Sequence, residues 1–295
     1  MARFDDSRPE MTAEEFRLLR DHVYSHCGIL VHEDMKFVME RRLWPRLEAL
    51  GALDFSAYHR YLRYDANRHV ELEAAVESLT THETYFFREP SQLKAFREEL
   101  FPLLEKRNAR TRRLRLWSAG CSSGEEAYTL AMLLKDERRF DDWDVEVYGT
   151  DISRRVLTMA RRAEYGPSAL RATSADLLER FFVPVPAAPT KVRVRDDVRA
   201  MVSFGHHNLL DETGSQLVAK MDAVFCRNVM IYFDQSARRK VLRILRDRLV
   251  PGGYLLLGHS ENLLNLGADF ELVHLRGDLV YRRPELPGLT GGEPR

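Results

Sequence analysis

The sequence predicts an α/β doubly wound domain carried behind a small helical domain. Three observations predict it. The first eighty residues carry helical periods and no strand alternation. Leu114 to Leu134 reads as strand, glycine turn and helix. Beyond Trp143, apolar or alternating runs recur between helical patterns as far as Arg282. In such a domain, ligands bind at the carboxyl ends of the strands.

The chain has 295 residues, enough for one large domain and a small one without covalent staples. Its 45 Lys and Arg balance 45 Asp and Glu, so a protein built to neutralise nucleic-acid phosphates or an anionic membrane is disfavoured. Cys27, Cys121 and Cys226 show no paired spacing, which argues against a disulfide framework or a zinc site and for a reducing compartment. Met1 to Asp6 lacks an apolar leader and no later run approaches a membrane span, so the reading is a cytoplasmic protein without membrane insertion.

Residues 1–80 are assigned to the helical domain. Thr12 followed by Glu15 is a capping box, and Phe16, Leu18, Leu19 and Val23 give the first helix its apolar positions up to Gly28. A second helix spans Glu33 to Leu50 and is closed by Gly51, with Arg42 and Arg46 one turn apart. Helical patterns follow at Phe55–Leu62 and Val70–Leu79. Residues 81–110 form a linker and connecting helix. Within it, Thr84-Tyr85-Phe86-Phe87-Arg88 has no clean period and reads either as a hinge burying its aromatics or as a lid reaching the ligand site.

The main domain is placed at 111–284. In Leu116-Trp117-Ser118-Ala119-Gly120-Cys121-Ser122-Ser123-Gly124-Glu125-Glu126, a strand meets a turn whose glycines admit close backbone approach, and a helix start follows. The turn departs from G-x-G-x-x-G and sets carboxylates where that motif receives a pyrophosphate, so a neutral or cationic ligand fits better, the sulfonium of S-adenosylmethionine among them. Trp143 to Asp151 is a strand ending in an acid that can grip a ribose or cap the helix Ser153–Arg162. A helix at Ser174–Phe182 precedes strands at Lys191–Arg195 and Met201–Phe204, read as a β-subdomain at about 184–204. His206 and His207 are neighbours on a strand and point to opposite faces, so no metal is expected. Strand Met221–Cys226 breaks into Arg227-Asn228, helix Asp234–Leu249 stops at Pro251-Gly252-Gly253, and strands at Tyr254–His259, Phe270–Leu275 and Leu279–Arg282 complete the sheet. Residues 285–295 read as a disordered tail.

Taken in order, Thr84 to Arg88, Ser118 to Glu126, Gly149-Thr150-Asp151-Ile152, Asn208-Leu209, Cys226-Arg227-Asn228-Val229-Met230-Ile231-Tyr232-Phe233 and Gly258-His259-Ser260-Glu261-Asn262 resemble the bacterial chemotaxis receptor methyltransferases. The resemblance covers nearly the whole chain. It implies a Rossmann-like methyltransferase domain, S-adenosyl-L-methionine as methyl donor with S-adenosyl-L-homocysteine as product, and glutamate carboxylates of chemoreceptors as acceptors. It implies cofactor contacts at His82, Thr84, Arg88, Gly120, Glu125, Asp151, Asn208, Leu209, Arg227 and Asn228. Arg88 and Tyr232 would orient the substrate carboxylate, and Arg42 and Arg46 would meet the receptor's helical bundle. The family commonly has Asn where this chain has His82, and an imidazole replaces one amide hydrogen bond but not both. A monomer is expected.

A nicotinamide dehydrogenase is disfavoured by the missing dinucleotide fingerprint. Amine methyltransferases of nucleic acids carry Asn/Asp-Pro-Pro-aromatic where this chain has Asn228-Val229-Met230-Ile231, and a cytosine-ring enzyme would need a nucleophilic thiol where Cys226 reads as packing. Methylation of another carboxylate and a non-catalytic cofactor sensor are the remaining alternatives.

Overall fold

The computed structural model describes residues 9–263, 266 and 270–285. It divides into two units, one of residues 1–81 with 232–237 and one of residues 82–231 with 238–295.

The first unit is helical. Helix α1 (Ala13–Cys27) opens with the predicted reciprocal cap between Thr12 and Glu15 and ends at Gly28 in the left-handed region. Leu18 lies outside the core at 39% exposure, whereas Phe16, Leu19 and Val23 are buried. A short 3-10 turn at Glu33–Met35 leads into α2 (Lys36–Leu50), closed by Gly51. Helices α3 (Phe55–Tyr64) and α4 (Arg68–Leu79) follow. Met39, Leu43, Leu47, Phe55, Tyr58 and Leu62 fill the interior. The segment 232–237 joins this unit: Leu30 N–H donates to the Tyr232 carbonyl at 3.0 Å, and the Tyr24 hydroxyl donates to Asp234 at 2.9 Å.

In the second unit, Pro90 to Asn108 is helical throughout, as α5 (Pro90–Ala95), a π turn at Phe96–Leu100 and α6 (Phe101–Asn108). Pro102 has no N–H to donate and its ring crowds the carbonyl four residues back. The chain widens there, with Phe101 N–H bonding to the Phe96 carbonyl. Strand β1 (Arg113–Ala119) and helix α7 (Glu125–Lys135) make the first βα unit, and β2 (Asp144–Asp151) with α8 (Arg154–Arg162) makes the second.

The predicted β-subdomain is placed differently. Strands β3 (Glu164–Tyr165), β4 (Phe182–Pro184) and β5 (Val192–Val194) form a separate three-stranded sheet in the order β3-β5-β4, with α9 (Ala175–Phe181) feeding into β4. After α10 (Asp196–Arg199), β6 (Val202–His206) leaves that sheet and pairs in parallel with β2, so Met201–Phe204 belongs to the main sheet's edge. Helix α11 (Glu212–Ser215), strand β7 (Met221–Cys226) and helix α12 (Gln235–Arg248) follow. Strand β8 (Leu249–Leu257) already includes Pro251-Gly252-Gly253, where the sequence reading stops the preceding helix and begins the strand only at Tyr254. A register shift opposite Met221 to Ala223 absorbs the irregularity, and Gly252 and Gly253 bond back to Arg283. Antiparallel β9 (Glu271–His274) and β10 (Leu279–Arg282) close the sheet. The seven-strand order is β6-β2-β1-β7-β8-β10-β9, the first five strands parallel. Residues 286–295 of the expected tail lie outside the described residues.

Candidate methyl-transfer site

The parallel strands end level with one another: Ser118 sits beside Gly149 and Phe225, and Phe225 beside Leu256. Just past them, Gly120 and Cys121 both donate to the Thr150 carbonyl at 2.8 Å, which folds the first loop over the end of β2. Gly120 has φ +85°, and a Cβ on it would lie 2.5 Å from Val229 Cγ2. The loop after β7 therefore dictates glycine here, beyond any need for a turn. A Cβ on Gly124, at φ +94°, would lie 2.9 Å from Ala160 Cβ and 3.0 Å from Phe204.

The two acids after Gly124 part company. Successive helical residues stand about 100° apart, so they cannot share one face. Glu125 turns inward: Ser123 Oγ donates to both its oxygens at 2.9 and 2.7 Å, and burial lifts its carboxyl to about 7. Glu126 faces the strand ends, accepting from Ser118 Oγ at 2.7 Å and pairing with Arg227 at 3.2 Å. Burial raises its carboxyl too, and Arg227 opposes that rise. The cofactor contact that the sequence reading gives to Glu125 falls on a carboxylate turned toward Ser123, while its neighbour Glu126 meets Ser118 and Arg227. The signal that separates them is Ser118, a hydroxyl on the last inward turn of β1 that only Glu126 reaches.

Asp151 accepts from Ser122 N–H at 2.8 Å and Ser153 N–H at 3.0 Å. It does not cap α8; Ser153 Oγ does, accepting from Val156 N–H. Burial raises the Asp151 carboxyl, against which the Ser153 N–H and the His82 imidazole act. His82 is tied in on its other side, its carbonyl accepting from Ser122 Oγ at 3.3 Å. The loop after β6 joins here, with His207 N–H on the Asp151 carbonyl, Asn208 Oδ1 holding Leu210 N–H at 3.0 Å, and Leu209 buried. His206 meets the Ile152 carbonyl at 2.9 Å while His207 packs against Trp117, and no metal-holding cluster is found among the described residues.

Arg227 is 7% exposed, and its guanidinium meets the Arg88 carbonyl at 2.8 Å, Glu89 at 3.0 Å and Glu126 at 3.2 Å. It is an internal tie between the β7 loop and the Thr84–Arg88 segment. That segment turns through left-handed residues at Phe87 (φ +56°) and Glu89 (φ +57°), and Phe87 N–H donates to Thr129 Oγ1. Phe86 is fully buried in the core with Tyr165 and Phe182. The segment buries its aromatics as the hinge reading expects: Phe86 and Phe87 anchor it, while Thr84 and Arg88 stay half-buried. Arg88 donates to the Glu83 carbonyl at 3.2 Å, lies 5.7 Å from the Tyr85 ring, and forms no carboxylate ion pair among the described residues. Asn228 takes φ +59°, and its Oδ1 is buried with no hydrogen-bond partner among the described residues.

Residues 82–278 match the CheR methyltransferase SAM binding domain, and residues 14–80 match the CheR methyltransferase all-alpha domain. The chain belongs to the CheR methyltransferase family. It is similar to Chemotaxis protein methyltransferase 2 of Vibrio cholerae, with 33% identity over 93% of this chain and 94% of that one. Chemotaxis protein methyltransferase 1 of Pseudomonas aeruginosa is 34% identical over 91% and 97%, and the Chemotaxis protein methyltransferase of Escherichia coli is 36% identical over 93% and 92%. This CheR-family chain is accordingly an S-adenosylmethionine-dependent methyltransferase of chemotaxis. The site suits that cofactor, because the orphaned, buried Asn228 Oδ1 calls for a ligand N–H and the acids at 126 and 151 suit a cationic, hydroxylated molecule.

The other sequence-derived positions fall in the helical unit. Arg42 donates to the Leu79 carbonyl at 2.6 Å and so closes the C-terminus of α4. Arg46 forms a fork with the buried carboxylate of Glu71, which also accepts from the Tyr58 hydroxyl at 2.7 Å. Both guanidiniums thus have structural work within their own unit. Tyr232 belongs to that unit as well.

Proposed function

We propose that this enzyme is a protein-glutamate O-methyltransferase. It acts in the cytoplasm as a monomer on glutamate side chains in the helical bundle of a chemoreceptor. Support comes first from Arg88, a half-buried residue with no carboxylate paired to its guanidinium among the described residues, whose carbonyl meets Arg227. An incoming carboxylate can take that place through charge-assisted hydrogen bonds.

The cofactor supplies an electrophilic methyl group on a positively charged sulfur. A glutamate side chain is ionised near neutral pH, so no general base is required. As the carboxylate oxygen bonds to the methyl carbon, the carbon–sulfur bond breaks and its electron pair stays on sulfur. The products are a methyl ester and S-adenosylhomocysteine, and no proton moves. The enzyme's task is to align oxygen, carbon and sulfur and exclude water, a contribution worth roughly 7–11 kcal/mol. Glu126 and Asn228 hold the amino-acid end of the cofactor, Asp151 its ribose, and Asn208-Leu209 its adenine. Arg88 orients the carboxylate without gripping the attacking oxygen.

The test is incubation with methyl-labelled S-adenosylmethionine and receptor-containing membranes, then mild alkali. Volatile labelled methanol is expected. Alkali-stable label would move the acceptor to nitrogen or sulfur and overturn the carboxylate assignment.

A further inference from the structure

The carboxylate of Glu261 joins two loops of the site. Its Oε2 accepts from Asn228 N–H and Gly258 N–H, both at 2.8 Å, and its Oε1 accepts from Ile231 N–H at 3.2 Å. Three backbone donors from the ends of β7 and β8 thus converge on one side chain. Asn228 is held there in the left-handed region at φ +59°, a conformation unfavourable for a residue with a Cβ and maintained only where the surroundings enforce it. Gly258 completes the arrangement, since a Cβ on it would lie 2.9 Å from Asn228 N, Asn228 Nδ2 and Glu261 Oε2 alike. What this arrangement presents is the buried, unpartnered Oδ1 of Asn228. A buried carbonyl oxygen left without a donor is costly unless a ligand supplies one.

We infer that Glu261 is a positioning residue for methyl transfer, acting through Asn228 to aim its Oδ1 at an N–H donor of the bound cofactor. This rests on Asn228 being the cofactor-facing residue assigned above. Glutamine at 261 keeps the size but offers one accepting oxygen, and its amide N–H₂ would meet a backbone N–H head-on. Asn228 would then relax from its strained conformation and the Oδ1 would lose its aim.

The experiment is a double-mutant cycle on cofactor affinity, using calorimetry with S-adenosylmethionine on the full chain for wild type, Glu261→Gln, Asn228→Ala and the pair. Each single variant is expected to weaken binding by ten-fold or more, and the pair by no more than the stronger single. That non-additivity is what a merely structural role would not give. Losses that multiply, or a Glu261→Gln protein binding like wild type, would overturn the inference. Asn228→Ala binding normally would overturn the assignment of Asn228 and with it the route through Glu261, whereas loss in Asn228→Ala alone would leave that assignment standing and reject Glu261. Gly258→Ala, whose Cβ would crowd both Asn228 and Glu261 Oε2, disturbs the same arrangement from the β8 side and should weaken binding as well.

Discussion

Glu125 and Glu126 differ by one position and by what they can do. Glu125 is buried, and although Ser123 Oγ donates to both its oxygens, burial lifts its carboxyl from 4.5 to about 7. A carboxyl raised on folding favours the protonated folded state, so its stabilising effect is complete below about pH 4.5 and is lost as pH rises through 7. Glu125→Gln should therefore match wild type in urea unfolding at pH 4.5 and exceed it at pH 8, by up to about 3 kcal/mol; equal stabilities at both pH values would contradict the buried placement. Arg88 makes the opposite case, a charge with no carboxylate paired to it among the described residues. Arg88→Ala should lower label transfer by 100-fold or more with little change in thermal unfolding, and near-normal methylation would remove it from the reaction.

At the scale of elements, the loop after β1 is shaped by the loop after β7. Gly120→Ala sets a Cβ against Val229 Cγ2 at 2.5 Å while also opposing a φ of +85°. It should destabilise the protein by about 1–3 kcal/mol and weaken cofactor binding. Val229→Ala in the same chain relieves the clash but not the backbone strain, so calorimetry should show part of the affinity returning. Among the helices, Glu71 is buried and holds Arg46 and Tyr58 together. Removing it leaves two polar groups without their partner, and Glu71→Ala should cost about 3 kcal/mol in urea unfolding. The Arg46→Ala protein should likewise lose stability, so any fall in its methylation rate has to be read at matched folded fraction. An Arg46→Ala midpoint unchanged from wild type would contradict the structural role of the fork.

For the molecule as a whole, the cofactor binds the folded chain and not the unfolded one, so S-adenosylmethionine at a hundred times its Kd should add about 2.7 kcal/mol of stability. Thermal unfolding with and without it reads this directly, and an unmoved midpoint would contradict binding. Much of the fold was legible before any coordinates, because helix caps such as Thr12 with Glu15, glycine stops at Gly28 and Gly51, and the βα turn at Gly120 to Gly124 are local signals. Asp151, Asn208 and Arg227-Asn228 were legible as loop residues at strand ends for the same reason. Partnering was not. Whether β6 joins the three-stranded sheet or the main one, and whether Pro251-Gly252-Gly253 separates helix from strand or lies within the strand, depends on hydrogen bonds to residues far along the chain. That Arg227 is a tie, that Arg42 and Arg46 serve their own helices, and that Glu126 rather than Glu125 faces the strand ends are equally non-local facts. The sequence by itself determined the order of elements and the two kinds of unit, since periodicity, caps and loop residues act over a few positions, and its ordered motifs carried the resemblance that implied the class of chemistry. Only the tertiary structure decided which polar groups are already satisfied and which, like Asn228 Oδ1, are left for a ligand, since a hydrogen bond is settled by who stands opposite.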